Sequence, residues 1–467
     1  MKRGAALLAL CLACGLSGQM KSVNPAIKKI VDEISQDRIA ETLKKLESFD
    51  TRYIFSSDDD PAKGIGAARR WIFSQFQRYS PRLEVSYDSW NVKKKGRIVR
   101  DVTLHNVVAV LPGTVNPERR FIVSGHYDSA VIRRRPEGEP AADSDQPRND
   151  EALFDPNAKS PGVTDDGSGT AAVLELARVM SQYEFEKTIV FVAFTAEEEG
   201  LVGSTLYARR ARQDNQIIDG VLNNDIIGSE VSGNGRIDNG SLWIFSEDPI
   251  DSPSRELARY IKSAGERYVP SMSVDLIFRH DRFGRGGDHT PFNQEGYAGV
   301  RFTSSAENFA NQHTVTDTFA NTSPAYTARV TRVNAAALAS LALAPKAPVV
   351  MEPIKTGPNK GKPTPMIGRG KGRYDARLRW KNENPESDLA GYVVVSRSST
   401  SPYWEREVFV GKVQEYSFPD VSIDNVVFGV KAIDRDGNES LVAPYVAAPR
   451  PKLEIEASPA GAATSAK

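Results

Sequence analysis

The chain has 467 residues, of which 40% are apolar and 26% charged, enough for two or three domains with ordinary cores. Sixty lysines and arginines balance sixty aspartates and glutamates, so no global field draws the protein toward nucleic acid or an anionic membrane. No stretch after the opening reaches the roughly 20 apolar residues of a membrane helix.

The opening MKRGAALLALCLACGLSGQ joins Lys2 and Arg3 to a short apolar run, Ala5 to Ala13, and then to small residues. That is the layout of an export signal over residues 1–19, too short to span a bilayer. Both cysteines, Cys11 and Cys14, lie in it, so a mature chain keeps at most one and has no internal disulfide. Cys14, after Leu12-Ala13 and before Gly15, resembles a bacterial lipoprotein cleavage site, although Cys11 stands where leucine is usual. The expectation is an exported protein, periplasmic or extracellular, with Cys14 as a candidate lipid anchor.

Residues 26–50 space Ile27, Ile30, Val31, Ile34, Ile39, Leu43 and Leu46 at helical intervals, which predicts one or two amphipathic helices. Another helix is predicted over Gly66 to Tyr79. Strands and helices then alternate. HNVVAVLPG and RRFIVSGHYDS read as strands, TAAVLELARVMSQY as a helix, KTIVFVAFTAEEEG as a strand and STLYARRARQ as a helix. LWIFS, a helix around Arg255 to Ala264, AGVRF and a last helix from Ala325 to Leu343 complete the series. Near-continuous apolar strands between helices predict an α/β unit over residues 22–345, a mostly parallel mixed sheet covered by helices on both faces. Such sheets bind ligands at the carboxyl ends of their strands, where HYDS and AEEEG stand. Residues 346–373, rich in proline, glycine and lysine, read as a linker or domain edge. Beyond them ARLRW, AGYVVVSRS, EVFVGKV, EYSFPDV and NVVFGVKAID predict a small all-β sandwich over residues 374–450. The Ala/Ser/Pro-rich residues 451–467 predict a mobile tail.

Chemistry-bearing residues gather at these strand ends. His126 closes a strand, and Asp128 two places on could accept the second imidazole N–H, as metal-bound histidines usually require. In SPGVTDDGSG, Asp165 and Asp166 precede a helix start; capping explains one aspartate and not the second. Glu197, Glu198 and Glu199 follow a strand expected to be buried on both faces. Adjacent carboxylates in a poorly solvated place repel unless a cation neutralises them. Glu199 is assigned to solvent or a structural contact. Asp225 in VLNNDIIGS and His313 in NQHTVTDT complete two imidazoles and three carboxylates, with one carboxylate to spare. This nitrogen and oxygen set without thiolate suits zinc. Two ions ~3.5–4 Å apart would need a bridging carboxylate, and a surplus glutamate could serve as base.

In this order, HYDS, PGVTDDGSG, AEEEGLVGS, NND and QHTVTDT resemble the di-zinc aminopeptidase family, peptidase family twenty-eight, which includes bacterial leucyl aminopeptidases and glutamate carboxypeptidases. The resemblance covers roughly residues 25–345. It implies two zinc ions per chain, bridged by Asp165, with His126 and Asp225 completing one site and Glu198 and His313 the other. It implies Glu197 as general base, Asp128 as the residue orienting His126, and peptides as substrates, cleaved most simply at their N-terminal bonds.

The chain also departs from that pattern. Gly287-Asp288-His289 matches a family triplet, and Asp288 and His289 are assigned to fixing the loop. Arg279, Arg282 and Arg285 could bind a substrate carboxylate, but are read first as solvated surface. A tyrosine of the family's oxyanion contact has no clear counterpart, and residues 130–160 form an insertion expected to rim the substrate cleft. The C-terminal strands resemble a fibronectin type III domain in Trp380 and Tyr392, while Val426 stands where a tyrosine is usual. Two alternatives remain: a glutaminyl cyclase-like single-zinc acyltransferase, and an inert adhesion or scaffold protein.

Overall fold

The computed structural model describes residues 23–133, 153–384 and 386–446. The segment expected to direct export, with Cys11 and Cys14, most of the 130–160 insertion and residues 447–467 lie outside the described residues.

Two short helices open the α/β unit. Helix α1 (Pro25–Asp32) is capped by the Asn24 side chain, and α2 (Gln36–Glu47) by Ser35. Each cap accepts an otherwise unpaired backbone N–H. The apolar stripe Ile27, Ile30, Val31, Ile39, Leu43 and Leu46 is buried, so helical spacing alone sufficed to find it. Then come α3 (Gly64–Tyr79), β1 (Glu84–Val92), β2 (Val102–Leu111), β3 (Asn116–His126), α4 (Gly167–Met180), β4 (Lys187–Phe194), α5 (Val202–Gln213) and β5 (Ile217–Asn224). The unit ends with β6 (Ser241–Ser246), α6 (Pro253–Tyr268), β7 (Ser273–Ile277), α7 (His289–Gln294), β8 (Gly299–Ser304) and α8 (Pro324–Leu343).

Eight strands form one sheet in the order β1-β2-β4-β3-β5-β8-β6-β7. The four central strands, β4, β3, β5 and β8, are mutually parallel, whereas β2 runs antiparallel to β4 and β6 to β8. Every residue of β4 is buried, as a strand covered on both faces must be. Helices α1, α2, α3, α4, α6 and α8 cover one face in the largest apolar cluster. Tyr207, Ala208 and Ala211 of α5 and Phe292 of α7 close the other over Ile122, Val190, Val192 and Phe194. Among the strands the sequence reading passed over are β1 and β7, the two sheet edges. EVSYDSWNV buries only Asp88, and SVDLI only Val274, so neither carries an apolar signature.

Residues 346–373 include three short strands, β9 (Met351–Pro353), β10 (Pro363–Pro365) and β11 (Ile367–Arg369). After them come β12 (Ala376–Arg379), β13 (Leu389–Ser398), β14 (Arg406–Gly411), β15 (Glu415–Phe418), β16 (Val426–Asp434) and β17 (Ala443–Pro444). They make an antiparallel sheet of three strands, β11-β12-β15, and one of four, β14-β13-β16-β17. Val350, Met366, Trp380, Tyr392, Phe418 and Phe428 share their core. This unit is bonded to the first. Buried Arg397 pairs with Asp251, the Trp404 indole N–H donates to Glu256 (3.0 Å), and Tyr260 donates to the Glu439 carbonyl (2.9 Å). Asn116 at the start of β3 donates to Glu386 (3.1 Å). At about 3.3 Å per residue, that contact is roughly 30 Å along the strand from His126.

Candidate metal centre

The four parallel strands deliver the site at their carboxyl ends. His126 is the last residue of β3, Glu197 and Glu198 follow β4, Asp225 follows β5, and β8 leads into the loop carrying His313. Asp165 stands just before α4. Ala196, Ile226 and His313 hold φ angles of 57°, 62° and 52°. Left-handed backbone is disfavoured for any residue with a Cβ, most of all a β-branched one. Each of the three is a candidate ligand or adjoins one, and strained backbone concentrates where function demands it. Glycine serves by close approach: a Cβ on Gly287 would lie 3.1 Å from Asp225 Oδ2, and one on Gly169 only 2.3 Å from Asp166 Oδ2.

Asp165 is the hub. Its Oδ1 lies 3.2 Å from His126 Nε2, and its Oδ2 lies 3.1 Å from His313 Nε2. Glu198 Oε2 is 3.0 Å from His313 Nε2, and Glu197 Oε2 is 4.0 Å from His126 Nε2. By distance the donor atoms sort into His126, Glu197 and Asp225, and Asp165, Glu198 and His313, with the atoms of each group within 4.8 Å of one another. A carboxylate reaching one imidazole with each oxygen has the geometry of a bridge between two ions. Buried His126 Nε2 and Glu198 Oε1 have no hydrogen-bond partner, a loss of about 1–3 kcal/mol each if nothing met them. Two imidazole nitrogens and several carboxylate oxygens without a thiolate fit zinc. Asp165, Glu197, Glu198, Asp225 and His313 line one cleft of about 420 Å³.

The electrostatics point the same way. Burial pushes the Glu197 carboxyl well above its usual range; Asp225, Glu198 and Asp288 add to this and His126 opposes it. Burial raises Glu198 and Asp225 as well, opposed by His313 and Arg301 respectively. Burial would raise Asp165 too, but its contacts with His126 and His313 hold it well below the carboxylate range. Carboxylates crowded in a dry place are relieved by a divalent ion, which restores the charged form of each.

Neighbouring groups hold the ligands in place. The Asp128 carboxylate accepts the backbone N–H groups of Glu197 (3.3 Å) and Glu198 (3.2 Å). Its Oδ1 stands 3.6 Å from His126 Nδ1, which donates to the Asp128 carbonyl at 3.2 Å. Asp128 therefore ties the glutamate turn to the histidine strand. Asp166 caps α4 through the Gly169 N–H (2.8 Å) and also accepts from the N–H groups of His126 (3.0 Å) and Ile226 (3.2 Å). Asp166 is thus the aspartate that capping explains, and Asp165 is the one left to face the two imidazoles. Asp317, which the sequence reading did not single out, accepts from the N–H groups of Thr164 (2.8 Å) and Asp165 (2.9 Å). Burial pushes it up to about 6 despite those two donors. Arg301, also missed, is fully buried between Asp225 and Asp281, each 3.0 Å away. Its place in the apolar strand AGVRF offered only one hint, a charge in a central strand.

Some expectations need correction. Glu199 is not solvated: it is 5% exposed, and neither carboxylate oxygen has a hydrogen-bond partner. The turn after β4 folds it inward behind Asp128 and Glu198, whose charges add to burial in raising it well above the usual range. Arg282 and Arg285 are not open surface either; both line the metal cleft, and only Arg279 is exposed. Asp288 and His289 join neither ligand group and are fully buried. His289 Nε2 donates to the His280 carbonyl (3.0 Å), and burial pushes Asp288 up to about 7.

Comparison with known proteins agrees with this geometry. Residues 106–338 match Peptidase family M28. A "Probable zinc metalloprotease" of Pyrenophora teres f. teres is 34% identical over 449 residues, covering 89% of this chain and 85% of that protein. The LapA aminopeptidase of Legionella pneumophila shares the fold with a TM-score of 0.51 at 20% identity, over 69% of this chain and 76% of its own. A Macrostomum lignano glutaminyl cyclase also shares it, with a TM-score of 0.51 at 15% identity, over 68% and 94%. At such identities the two structures speak for the fold alone. The 34% identity along nearly the whole chain speaks for more, and on it this chain belongs to peptidase family M28.

Proposed function

We propose that the chain is an exported aminopeptidase that holds two zinc ions and removes N-terminal residues from peptides. One observation carries the reading: Asp165 presents one oxygen to His126 and the other to His313, with Glu197 beside the first pair. His126, Asp165 and Asp225 would hold one ion, and Asp165, Glu198 and His313 the other.

When bound, the ions would polarise a peptide carbonyl and bring a water's pKa toward neutrality. Glu197 would take the proton from the attacking water and return it to the leaving amine. Asp128 fixes the Glu197 backbone, and Arg301 fixes Asp225. Export rests on the basic and apolar opening, and a lipid at Cys14 on the residues around it. The three-plus-four antiparallel strands and the Trp380–Tyr392 edge contact, with ring centroids 5.5 Å apart, support reading residues 374–450 as fibronectin type III-like.

The test is zinc stoichiometry together with a substrate panel. About two zincs per chain, chelator-sensitive hydrolysis of leucine p-nitroanilide and no hydrolysis of its N-acetylated form support the reading. One zinc with cyclisation of N-terminal glutamine would favour the cyclase alternative. Indifference to N-acetylation would overturn the aminopeptidase mode, and absence of zinc the whole proposal.

A further inference from the structure

Three arginines share the cleft with the candidate ligands. Arg97, Arg282 and Arg285 line the same space as Asp165, Glu197, Glu198, Asp225 and His313. Their commitments differ. Arg282 is spent: Nη1 donates to both oxygens of Glu307 (3.2 and 3.0 Å), and Nε to Asp281 (3.1 Å). Arg285 donates Nη1 to Gln312 (3.1 Å) and reaches the already engaged Glu307 only at 3.7 Å. Arg97 donates Nη1 to the Glu198 carbonyl (2.8 Å) and lies over the Phe154 ring; among the described residues it has no ion-pair partner.

Arg282 is thus held by Glu307 and Asp281, whereas among the described residues neither Arg97 nor Arg285 has a carboxylate oxygen within 3.5 Å. A guanidinium keeps its proton at any working pH, so Arg285 is a fixed positive charge in the cleft. A guanidinium offers a planar fork of donors that fits a carboxylate with two parallel hydrogen bonds. Gly284 and Gly286 flank Arg285 in the lining and leave room beside it.

Building on the peptidase reading, we propose that Arg97 and Arg285 bind a substrate carboxylate next to the scissile bond. The substrates are then dipeptides, through the free α-carboxylate, or peptides with an acidic side chain at that position. The arginines act on substrate selection and leave proton transfer to Glu197.

The experiment compares Leu-Leu with Leu-Leu-amide, and Leu-Glu-amide with Leu-Gln-amide, using zinc-loaded full-length protein. The expected result is a preference of about tenfold or more in kcat/KM for the anionic member of at least one pair, carried mainly by KM and reduced by added salt. The first pair reports the α-carboxylate and the second the side chain. Arg285→Gln and Arg97→Gln should each bring that ratio toward one at unchanged zinc content, and Arg285→Lys should keep part of it. If one variant fails to fold, the other and the wild-type ratios still decide. Equal kcat/KM within both pairs, or ratios untouched by both substitutions, would overturn this inference alone. Hydrolysis of none of the four would overturn the peptidase reading and this inference with it.

Discussion

Arg301 Nη2 lies 3.0 Å from Asp225 Oδ1, and both side chains are buried. Burial opposes the arginine's charge, but Asp225, Asp281, Glu307 and Glu197 together raise its pKa. Breaking a buried pair from one side leaves a charge with no partner. Arg301→Met should therefore destabilise the metal-free protein by about 3–5 kcal/mol. Urea denaturation in the presence of chelator measures it, and an unchanged midpoint would show that Asp225 needs no such support.

Glu197 and Asp165 should separate turnover from metal binding. Glu197→Ala is expected to keep both zincs and lose about 10²–10⁴ in kcat. Asp165→Ala removes the carboxylate that faces both imidazoles, so it should lose metal as well as turnover. Zinc analysis after gel filtration, paired with steady-state kinetics, distinguishes them. A Glu197 variant with wild-type kcat would remove this residue from the base role.

Asp128 acts on three groups at once: the N–H of Glu197, the N–H of Glu198 and the imidazole of His126. In Asp128→Asn one acceptor oxygen becomes a donor and must face an N–H. Supporting groups of this kind typically contribute 10–100-fold in metal affinity or activity. Competition with a chromogenic zinc chelator should show weaker binding in that range. Equal affinity would mean that the turn after β4 holds its shape unaided.

Glu186, near the domain junction, offers a pH test away from the metals. Burial pushes its carboxyl up to about 7; Asp388, Glu386 and Asp434 contribute and Lys187 opposes. A raised carboxyl binds its proton more tightly in the folded state. Its contribution to stability is thus present below about pH 4.5 and is lost as pH rises through 7. Glu186→Gln should remove this slope, so its Tm advantage over wild type should grow between pH 4.5 and 7 and level off above. A difference in Tm that is flat across that window would refute the shift.

The sequence alone named the candidate set that the fold draws together: His126 ends an apolar strand, Glu197, Glu198 and Asp225 follow one, and Asp165 and His313 stand in loops whose acidic and imidazole groups asked for a reason. His126, Asp165, Glu197, Glu198, Asp225 and His313 are legible as chemistry because charge and imidazole beside a buried run need a reason. Local rules also found α1, α2 and β4, whose stripes and apolar runs depend only on near neighbours in the chain. Edge strands β1 and β7 stayed hidden because half-solvated strands need no apolar code.

Tertiary structure decided what charges do once packed. Glu199 faces inward because the turn after β4 leaves it nowhere else to go. Arg282 and Arg285 face the cleft because their loop folds back over the strand ends, and Arg301 meets Asp225 only because β5 and β8 lie side by side. Those outcomes depend on which distant segments become neighbours. The energy of a buried charge is set by its partners within a few ångströms, and sequence order does not state that distance.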